Sequence, residues 1–170
     1  MSIKVIDNFL DKDEFNLLKN VLAGDSFPWF KSKILSEYGA KGPAIDEIEN
    51  NQFCHLFYHN FCPQSNFINI LDPIITKINP AAIIRIKANL NTKTDKIIEH
   101  GFHLDYQGSQ ELKTSIFYIN TNDGYTLFEN NEKIESVENR FLEFNSNYFH
   151  TGTSTTNTSA RIVINFNYYK

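Results

Sequence analysis

Hydrophobic residues are spaced differently in the two halves of the chain, and the spacing changes near Ala82. Before this point, two stretches carry apolar residues three or four positions apart, which is the spacing of one helix face. They predict helices over residues 11–23 and 66–78, the second bent or restarted at Pro73 because proline cannot donate a hydrogen bond inside a helix. Two shorter runs are predicted as strands, residues 3–6 and 52–60. The polar stretch 36–50 is predicted to be an exposed loop.

From Ala82 onward apolar positions alternate with polar ones, which is the period of a half-buried strand. Turns rich in Asn, Asp, Gly and Ser separate the runs. The predicted strands are residues 83–91, 113–120, 125–129, 133–137, 139–144 and 161–168. Because no helical stretch interrupts them, they favour a sandwich or jelly roll over an α/β sheet. We therefore predict a mainly β chain with flanking helices: a cupin-like double-stranded β-helix of two facing sheets, with the helices packed outside it.

Composition fits a single domain of this kind. The chain has 170 residues, which is enough for one hydrophobic core and short for two. Its 15 Phe, 8 Tyr and single Trp suit a sandwich filled by large flat side chains. We expect one domain over residues 1–170, in which residues 1–80 form a helical and strand support region and residues 81–170 form the jelly-roll core.

Charge, cysteine content and hydropathy disfavour several classes of protein. The net charge is -4 with acids and bases scattered, so no positive field disposes the chain to bind nucleic acid. Two cysteines, Cys54 and Cys62, are too few for a disulfide scaffold. No secretory leader is expected, and no apolar stretch is long enough to span a membrane. The expectation is a reduced, cytoplasmic protein without a membrane partner.

The candidate chemistry centres on His103 and Asp105. In an extended segment side chains alternate between faces, so these two residues point the same way. An imidazole beside a carboxylate provides two ligands of a facial triad, which binds non-haem Fe(II) and leaves coordination positions open. His150, on a second apolar and strand-like segment, is the candidate third ligand. Arg161 opens the last strand, and its planar guanidinium suits a co-substrate that carries a carboxylate.

Amide side chains on the predicted strands are weaker candidates for binding. Asn165 and Asn167 share the face of Arg161, and the strand before the histidine–aspartate pair carries Asn89 and Asn91. Amides that face a barrel interior need hydrogen-bond partners. A bound co-substrate, water or a hydrogen-bonded core can each provide them.

The order His103-x-Asp105, His150 and Arg161 resembles the Fe(II)- and 2-oxoglutarate-dependent dioxygenases, in particular the branch related to prolyl 4-hydroxylases. Further segments resemble that family's strands, and the match covers the second half of the chain. These segments are Phe117-Tyr118-Ile119-Asn120, Asp123-Gly124-Tyr125-Thr126-Leu127-Phe128 and Asn139-Arg140-Phe141.

The resemblance implies a reaction. His103, Asp105 and His150 would hold Fe(II) and leave positions for 2-oxoglutarate and O2. Oxidative decarboxylation of 2-oxoglutarate to succinate and CO2 would accompany hydroxylation of an unreactive C–H bond. The carboxylate of Asp105 points to hydroxylation, because related halogenases lack it. The expected partner is a small-molecule or peptide substrate: a peptidyl proline, a free amino acid, another small metabolite or a modified base.

The resemblance also implies a co-substrate site. Arg161 would bind the distal carboxylate of 2-oxoglutarate, and Tyr118 would place a hydroxyl beside it. Asn165 and Asn89 are the further candidates for contacts with the co-substrate. Many prolyl 4-hydroxylases carry lysine at the position of the arginine, so the chain departs from that subgroup while keeping a cation there.

The remaining histidines, the cysteines and the strand pattern also allow other interpretations. Cys54, His55, His59 and Cys62 are zinc-ligand types, but a strand puts Cys54 opposite His55 and the chain has no Cys-x-x-Cys knuckle. His100 is interpreted as a loop residue or as a hydrogen-bond donor near the metal rather than as a ligand. A non-catalytic jelly-roll binding module, or a cupin-like metalloenzyme that does not use 2-oxoglutarate, also fits the strand pattern.

Overall fold

A computed structural model of the chain describes residues 3–34, 50–106 and 109–170. Within these ranges the helices are α1 Lys12–Ala23, a 3-10 turn Ile68–Leu71 and α2 Asp72–Ile78. The strands in the same ranges are β1 Lys4–Ile6, β2 Phe30–Ser32, β3 Gln52–His59, β4 Cys62–Pro63, β5 Ala82–Thr92, β6 Leu112–Tyr118, β7 Tyr125–Phe128, β8 Lys133–Glu135, β9 Arg140–Asn145, β10 His150–Gly152 and β11 Ala160–Tyr169. The predicted loop over residues 36–50 lies outside the described residues, except for Asn50.

The described strands form two antiparallel sheets. The larger sheet has eight strands in the order β1-β9-β6-β11-β5-β3-β2, with β4 paired to β3. The smaller sheet has three strands in the order β10-β7-β8, and a backbone bridge between His103 and His150 continues it beyond β10. The predicted mainly β fold, a double-stranded β-helix with flanking helices, is confirmed.

Both helices pack on the outer face of the larger sheet. Alternation along the two central strands puts Ile86 and Ala88 of β5 and Ile164 and Phe166 of β11 on that face. The helical segments bury their apolar faces against it: Phe15, Leu18, Leu22, Leu71, Ile74 and Ile78. The helices therefore support the larger sheet from outside and leave its inner face available to line a site.

The inner face of the larger sheet changes from apolar to polar across its width. Beside β6 and β9 it closes a second core with the smaller sheet: Ile116, Tyr118, Phe128, Leu142, Phe144 and Val163. On β5 the inward positions are all polar: Arg85, Lys87, Asn89 and Asn91. Buried polar side chains are unfavourable without hydrogen-bond partners, so a polar row of this kind indicates a binding site.

Local structure departs from the predicted elements at a few places. Strand β2 was not predicted; it pairs with β3 at the sheet edge, where Phe30 is 62% exposed. The strand-like segment around the candidate third ligand is strand β10, and His150 is its first residue. The second helix does restart near Pro73, which lies in the first turn of α2, where its missing N–H removes no helical hydrogen bond. No helix in the described ranges is long and apolar enough to cross a membrane.

Candidate metal centre

The structure brings His103, Asp105 and His150 together at the open end of the smaller sheet. Their candidate ligand atoms all lie within 4.8 Å of one another, and among the described residues this is the group of His, Cys, Asp or Glu side chains that could hold a metal ion. The two histidines face each other across a backbone bridge, in which each N–H donates to the other's carbonyl at 2.9 and 3.1 Å. This bridge fixes the ring centroids 4.7 Å apart.

Backbone carbonyls orient both imidazole rings. Nδ1 of His103 lies 3.3 Å from the carbonyl oxygen of Gly101, and Nδ1 of His150 lies 3.1 Å from that of Tyr148. A carbonyl oxygen can only accept, so each Nδ1 carries a proton, and in a neutral ring Nε2 then presents its lone pair. Burial and the neighbouring His103 lower the pKa of His150 to about 4, so this ring is neutral at pH 7. Neutral imidazoles with free Nε2 atoms are the form that binds a metal.

The carboxylate of Asp105 is held by two donors from the larger sheet. Arg85 Nη2 donates to its Oδ1 at 2.9 Å, and Asn167 Nδ2 donates to its Oδ2 at 3.1 Å. Burial raises the pKa of this carboxyl, but Arg85, the two histidines and Asn167 outweigh burial and hold the pKa below its usual range. Asp105 is therefore an oriented anion, as a metal ligand must be.

A cavity of about 240 Å³ lies in front of this group, between the two sheets. Alternate residues of β5 and β11 form its floor in antiparallel pairs. The pairs are Arg161 with Asn91, Val163 with Asn89, and Asn165 with Lys87, and Arg85 continues the floor opposite Asn167. The smaller sheet closes it from above with Thr126, His150 and Gly152. The predicted metal ligands and the predicted arginine thus border the same space.

Arg161 is a buried cation in this cavity, with only 3% of its surface exposed. Nε donates to Ser136 Oγ at 2.8 Å, Nη2 donates to Thr126 Oγ1 at 3.3 Å, and the guanidinium lies 5.6 Å from the Tyr118 ring centroid. Among the described residues no carboxylate forms a salt bridge with it. A buried charge without a counter-ion is strongly unfavourable, so this site favours an anionic ligand.

Of the other residues predicted to contact the co-substrate, two line the cavity and one does not. Asn89 and Asn165 line the cavity, and Oδ1 of each is buried without a hydrogen-bond partner among the described residues. Tyr118 does not line the cavity; its hydroxyl lies 2.8 Å from Thr126 Oγ1, behind the surface that Thr126 presents. Among the described residues that line the cavity, Thr126 is the one that carries a hydroxyl.

His100 and the cysteines take no part in the ligand group. His100 is buried at the cavity wall, where burial and the charge of Arg161 lower its pKa to about 4. Cys54 and Cys62 are both free thiols. Nδ1 of His55 lies 2.8 Å from the Pro28 carbonyl and its Nε2 lies 2.7 Å from Ser65 Oγ, so this ring has a structural role.

Sequence reasoning missed Arg85, Lys87, Thr126 and Ser136. The two β5 residues precede Asn89 by four and two positions, so the same alternation that singled out Asn89 could have found them. Thr126 stands inside a segment already identified as family-like. Nothing in the sequence marks Ser136. This residue directly follows β8, and its contact with Arg161 depends on the pairing of β8 with β7.

Gly124 provides the space that Arg161 occupies. A Cβ atom at this position would lie 2.6 Å from Arg161 Cδ and 2.6 Å from the Ser154 carbonyl oxygen. Because one of these atoms is backbone, we expect Gly124→Ala to displace Arg161 and to lower the free energy of unfolding by about 1–3 kcal/mol, the usual range for overpacking. Thermal unfolding checks the stability effect.

Gly152→Ala is the matched control. Its Cβ atom would meet Arg161 Nη1 at 3.4 Å, an ordinary contact distance, so we expect a much smaller change. Equal stability for the two variants would contradict the proposed crowding at Gly124.

Comparison with known proteins supports the fold. No protein-family model and no curated protein matches the chain. Its structure is similar to the viral collagen prolyl hydroxylase of Paramecium Bursaria Chlorella virus-1 in complex with 2OG, with 14% identity over 98% of this chain and 95% of that chain and a TM-score of 0.63. It is also similar to an oxidoreductase of the 2OG-Fe(II) oxygenase family from Burkholderia pseudomallei, with 12% identity over 98% and 84% of the two chains and a TM-score of 0.67.

A third similar structure is the non-heme alpha ketoglutarate dependent epimerase SnoN from nogalamycin biosynthesis. It has 11% identity over 99% of this chain and 76% of that chain, with a TM-score of 0.64. The chain therefore has the fold of the 2-oxoglutarate- and Fe(II)-dependent oxygenases, prolyl hydroxylases among them. The resemblance seen in the sequence is confirmed at the level of the fold.

Proposed function

We propose that this protein is an Fe(II)- and 2-oxoglutarate-dependent dioxygenase that hydroxylates a C–H bond of its substrate. The observation that carries the proposal is the cavity that joins two otherwise unexplained features. At one side are two imidazoles and a carboxylate whose candidate ligand atoms lie within 4.8 Å of one another. At the other stands Arg161, a buried guanidinium without a carboxylate partner among the described residues.

The residues present fit a divalent iron. Two neutral imidazoles and one carboxylate are the ligand set of the facial triad, which suits non-haem Fe(II) and leaves coordination positions open. His103, Asp105 and His150 would hold the metal, and the carbonyls of Gly101 and Tyr148 would keep both rings in the ligating tautomer. When bound, iron with 2-oxoglutarate and O2 supplies the oxidising power for C–H hydroxylation, with release of succinate and CO2.

The residues also fit a dicarboxylate co-substrate. Arg161 would bind the distal carboxylate through Nη1 and the second N–H of Nη2, which Ser136 and Thr126 leave unused. Tyr118 would hydrogen-bond to Thr126 and lie against the guanidinium, so its role would be to position Thr126 and Arg161. Asn89 and Asn165 line the same cavity, and their amide N–H groups are further candidate donors to the co-substrate.

The two parts of the chain would divide the work within one domain. Residues 81–170 provide the candidate ligands and Arg161. Residues 1–80 would support this core, because α1 and α2 pack behind it and β3 pairs with β5 along the cavity floor.

Formation of succinate tests the proposed function. We expect the purified protein, given Fe(II), 2-oxoglutarate and O2, to form succinate and to form more when a substrate is supplied from a screen of amino acids, proline peptides and small metabolites. His103→Ala should form none above the background without protein. A parent protein that binds a metal but neither binds nor decarboxylates 2-oxoglutarate would contradict the proposal and favour a cupin-like metalloprotein.

A further inference from the structure

Lys87 is a cation in the cavity that the proposed function does not use. It lies on β5 between Arg85 and Asn89, on the cavity face, and its Cα is paired with Asn165 of β11. Among the described residues, the ammonium group of Lys87 forms neither a salt bridge nor a hydrogen bond. Burial and the nearby Arg85 lower its pKa, so its surroundings disfavour the charge that it carries.

The neighbouring charges are already engaged. Arg85 binds Asp105, donates Nε–H to Asn167 at 3.1 Å and stacks on the ring of Tyr106. Of the described residues that line the cavity, Asp105 is the only acidic one, and Arg85 holds it. Among the described residues, Lys87 therefore has no counter-ion within salt-bridge distance, and Asp105 acts on its charge only from further away.

The charge of the cavity stays positive after iron and co-substrate are counted. Among the described residues, three cations and one carboxylate line it, which leaves two positive charges when the histidines are neutral. Fe(II) and the 2-oxoglutarate dianion carry equal and opposite charges, so loading both changes nothing. Arg161 would bind the distal carboxylate, and Asp105 would bind the metal. The excess positive charge is therefore located around Arg85 and Lys87. This excess favours an anion beyond the co-substrate.

The unpartnered amide oxygens add a second requirement. Oδ1 of Asn89 and Oδ1 of Asn165 flank Lys87 on the floor and accept hydrogen bonds. The 2-oxoglutarate dianion has only acceptor oxygens, so it cannot bond to them. A ligand that satisfies these oxygens must carry an N–H or O–H group.

We propose that the substrate is a small-molecule anion whose carboxylate or phosphate binds Lys87 and whose N–H or O–H group donates to Asn89 or Asn165. This proposal rests on the proposed function, because it concerns the space left once iron and 2-oxoglutarate are bound. It favours a free amino acid or another charged metabolite over a peptidyl proline, whose ring and flanking amides are neutral.

Binding of simple anions to the loaded protein tests the proposal. The protein is saturated with Mn(II) in place of iron and with 2-oxoglutarate, so that Arg161 is occupied, and is then titrated under nitrogen with acetate and, separately, with inorganic phosphate. We expect at least one of these anions to bind, and the tighter of the two identifies the anionic group. Lys87→Met should weaken that binding at least about tenfold, while Lys87→Arg keeps the charge and should stay within about threefold.

Three controls make the outcome specific. Lys113→Met removes a lysine outside the cavity and should bind the anion as the parent does. The affinity for 2-oxoglutarate should change less than about twofold in every lysine variant. N-acetyl-L-prolinamide, a neutral probe, should bind the parent and Lys87→Met alike or not at all.

The failures of the two proposals can be told apart. If the Mn(II) protein binds no 2-oxoglutarate, the proposed function fails and this inference fails with it. If 2-oxoglutarate binds but neither anion does, or if Lys87→Met binds both anions like the parent, only the inference about the substrate is overturned. A loss of 2-oxoglutarate affinity in Lys87→Met would also overturn it, because Lys87 would then serve the co-substrate.

Discussion

Arg161→Leu is expected to weaken 2-oxoglutarate binding at least about thirtyfold, while the affinity for the metal stays close to that of the parent. The guanidinium is buried and has no carboxylate partner among the described residues, so the co-substrate would supply its counter-ion. Removing one member of a buried, hydrogen-bonded charge pair typically costs about 2–5 kcal/mol. Calorimetric titration of 2-oxoglutarate into the Mn(II)-loaded protein under nitrogen measures the change.

Two milder variants make this prediction more specific. Arg161→Lys should weaken 2-oxoglutarate binding less than Arg161→Leu does. The lysine charge can still reach the carboxylate, but it cannot bind it through two nitrogens. Tyr118→Phe should be affected least, since its hydroxyl contacts Thr126 and not the cavity. If Arg161→Leu binds 2-oxoglutarate like the parent, the co-substrate assignment is wrong and a metal-binding jelly roll becomes the better interpretation.

His150→Ala is expected to reduce the affinity for a divalent metal at least about a hundredfold. Loss of a contact that only orients a ligand typically weakens metal binding about 10–100-fold, and loss of the ligand itself should exceed that. His103→Ala and Asp105→Ala should behave in the same way, since all three candidate ligand atoms lie within 4.8 Å of one another. Metal analysis after dialysis against a fixed concentration of Mn(II) or Fe(II) measures the effect.

The variants at the metal centre need a control for folding. The His150 ring packs against Phe144 with centroids 4.8 Å apart, so its removal also leaves a void in the core. His103 is the better test of ligation alone, because 24% of its side chain is exposed. His59→Ala, on β3 and outside the ligand group, should keep its metal. Full metal content in folded His103→Ala, Asp105→Ala and His150→Ala would refute the metal centre.

The fold was predictable from the sequence because burial leaves a periodic signal. Apolar residues on the helix faces and on alternate strand positions specified where α1, α2, β5 and β11 lie and which faces meet. The short edge strand β2 left no such signal, since its exposed Phe30 does not follow the burial rule. Edge strands are fixed by backbone pairing with a neighbour, which a local pattern does not encode.

The candidate site was predictable only in part. His103, Asp105, His150 and Arg161 stand out by residue type and order, and the structure gathers them around one cavity. Their supporting contacts depend on strands far apart in the sequence. Asp105 is held from β5 and β11, and the Tyr118 hydroxyl contacts Thr126, which lines the cavity.

The proposal that a metal and Arg161 together bind 2-oxoglutarate is tested most directly by the metal dependence of 2-oxoglutarate binding. A keto acid that is bound jointly by the metal and Arg161 should need both of them. We therefore expect 2-oxoglutarate to bind the Mn(II)-loaded protein. It should bind the metal-free protein or His103→Ala at least about tenfold more weakly. These affinities are measured by calorimetry under nitrogen at equal protein concentration. Equal affinity with and without Mn(II), or no binding by protein that holds one Mn(II) per chain, would contradict the claim.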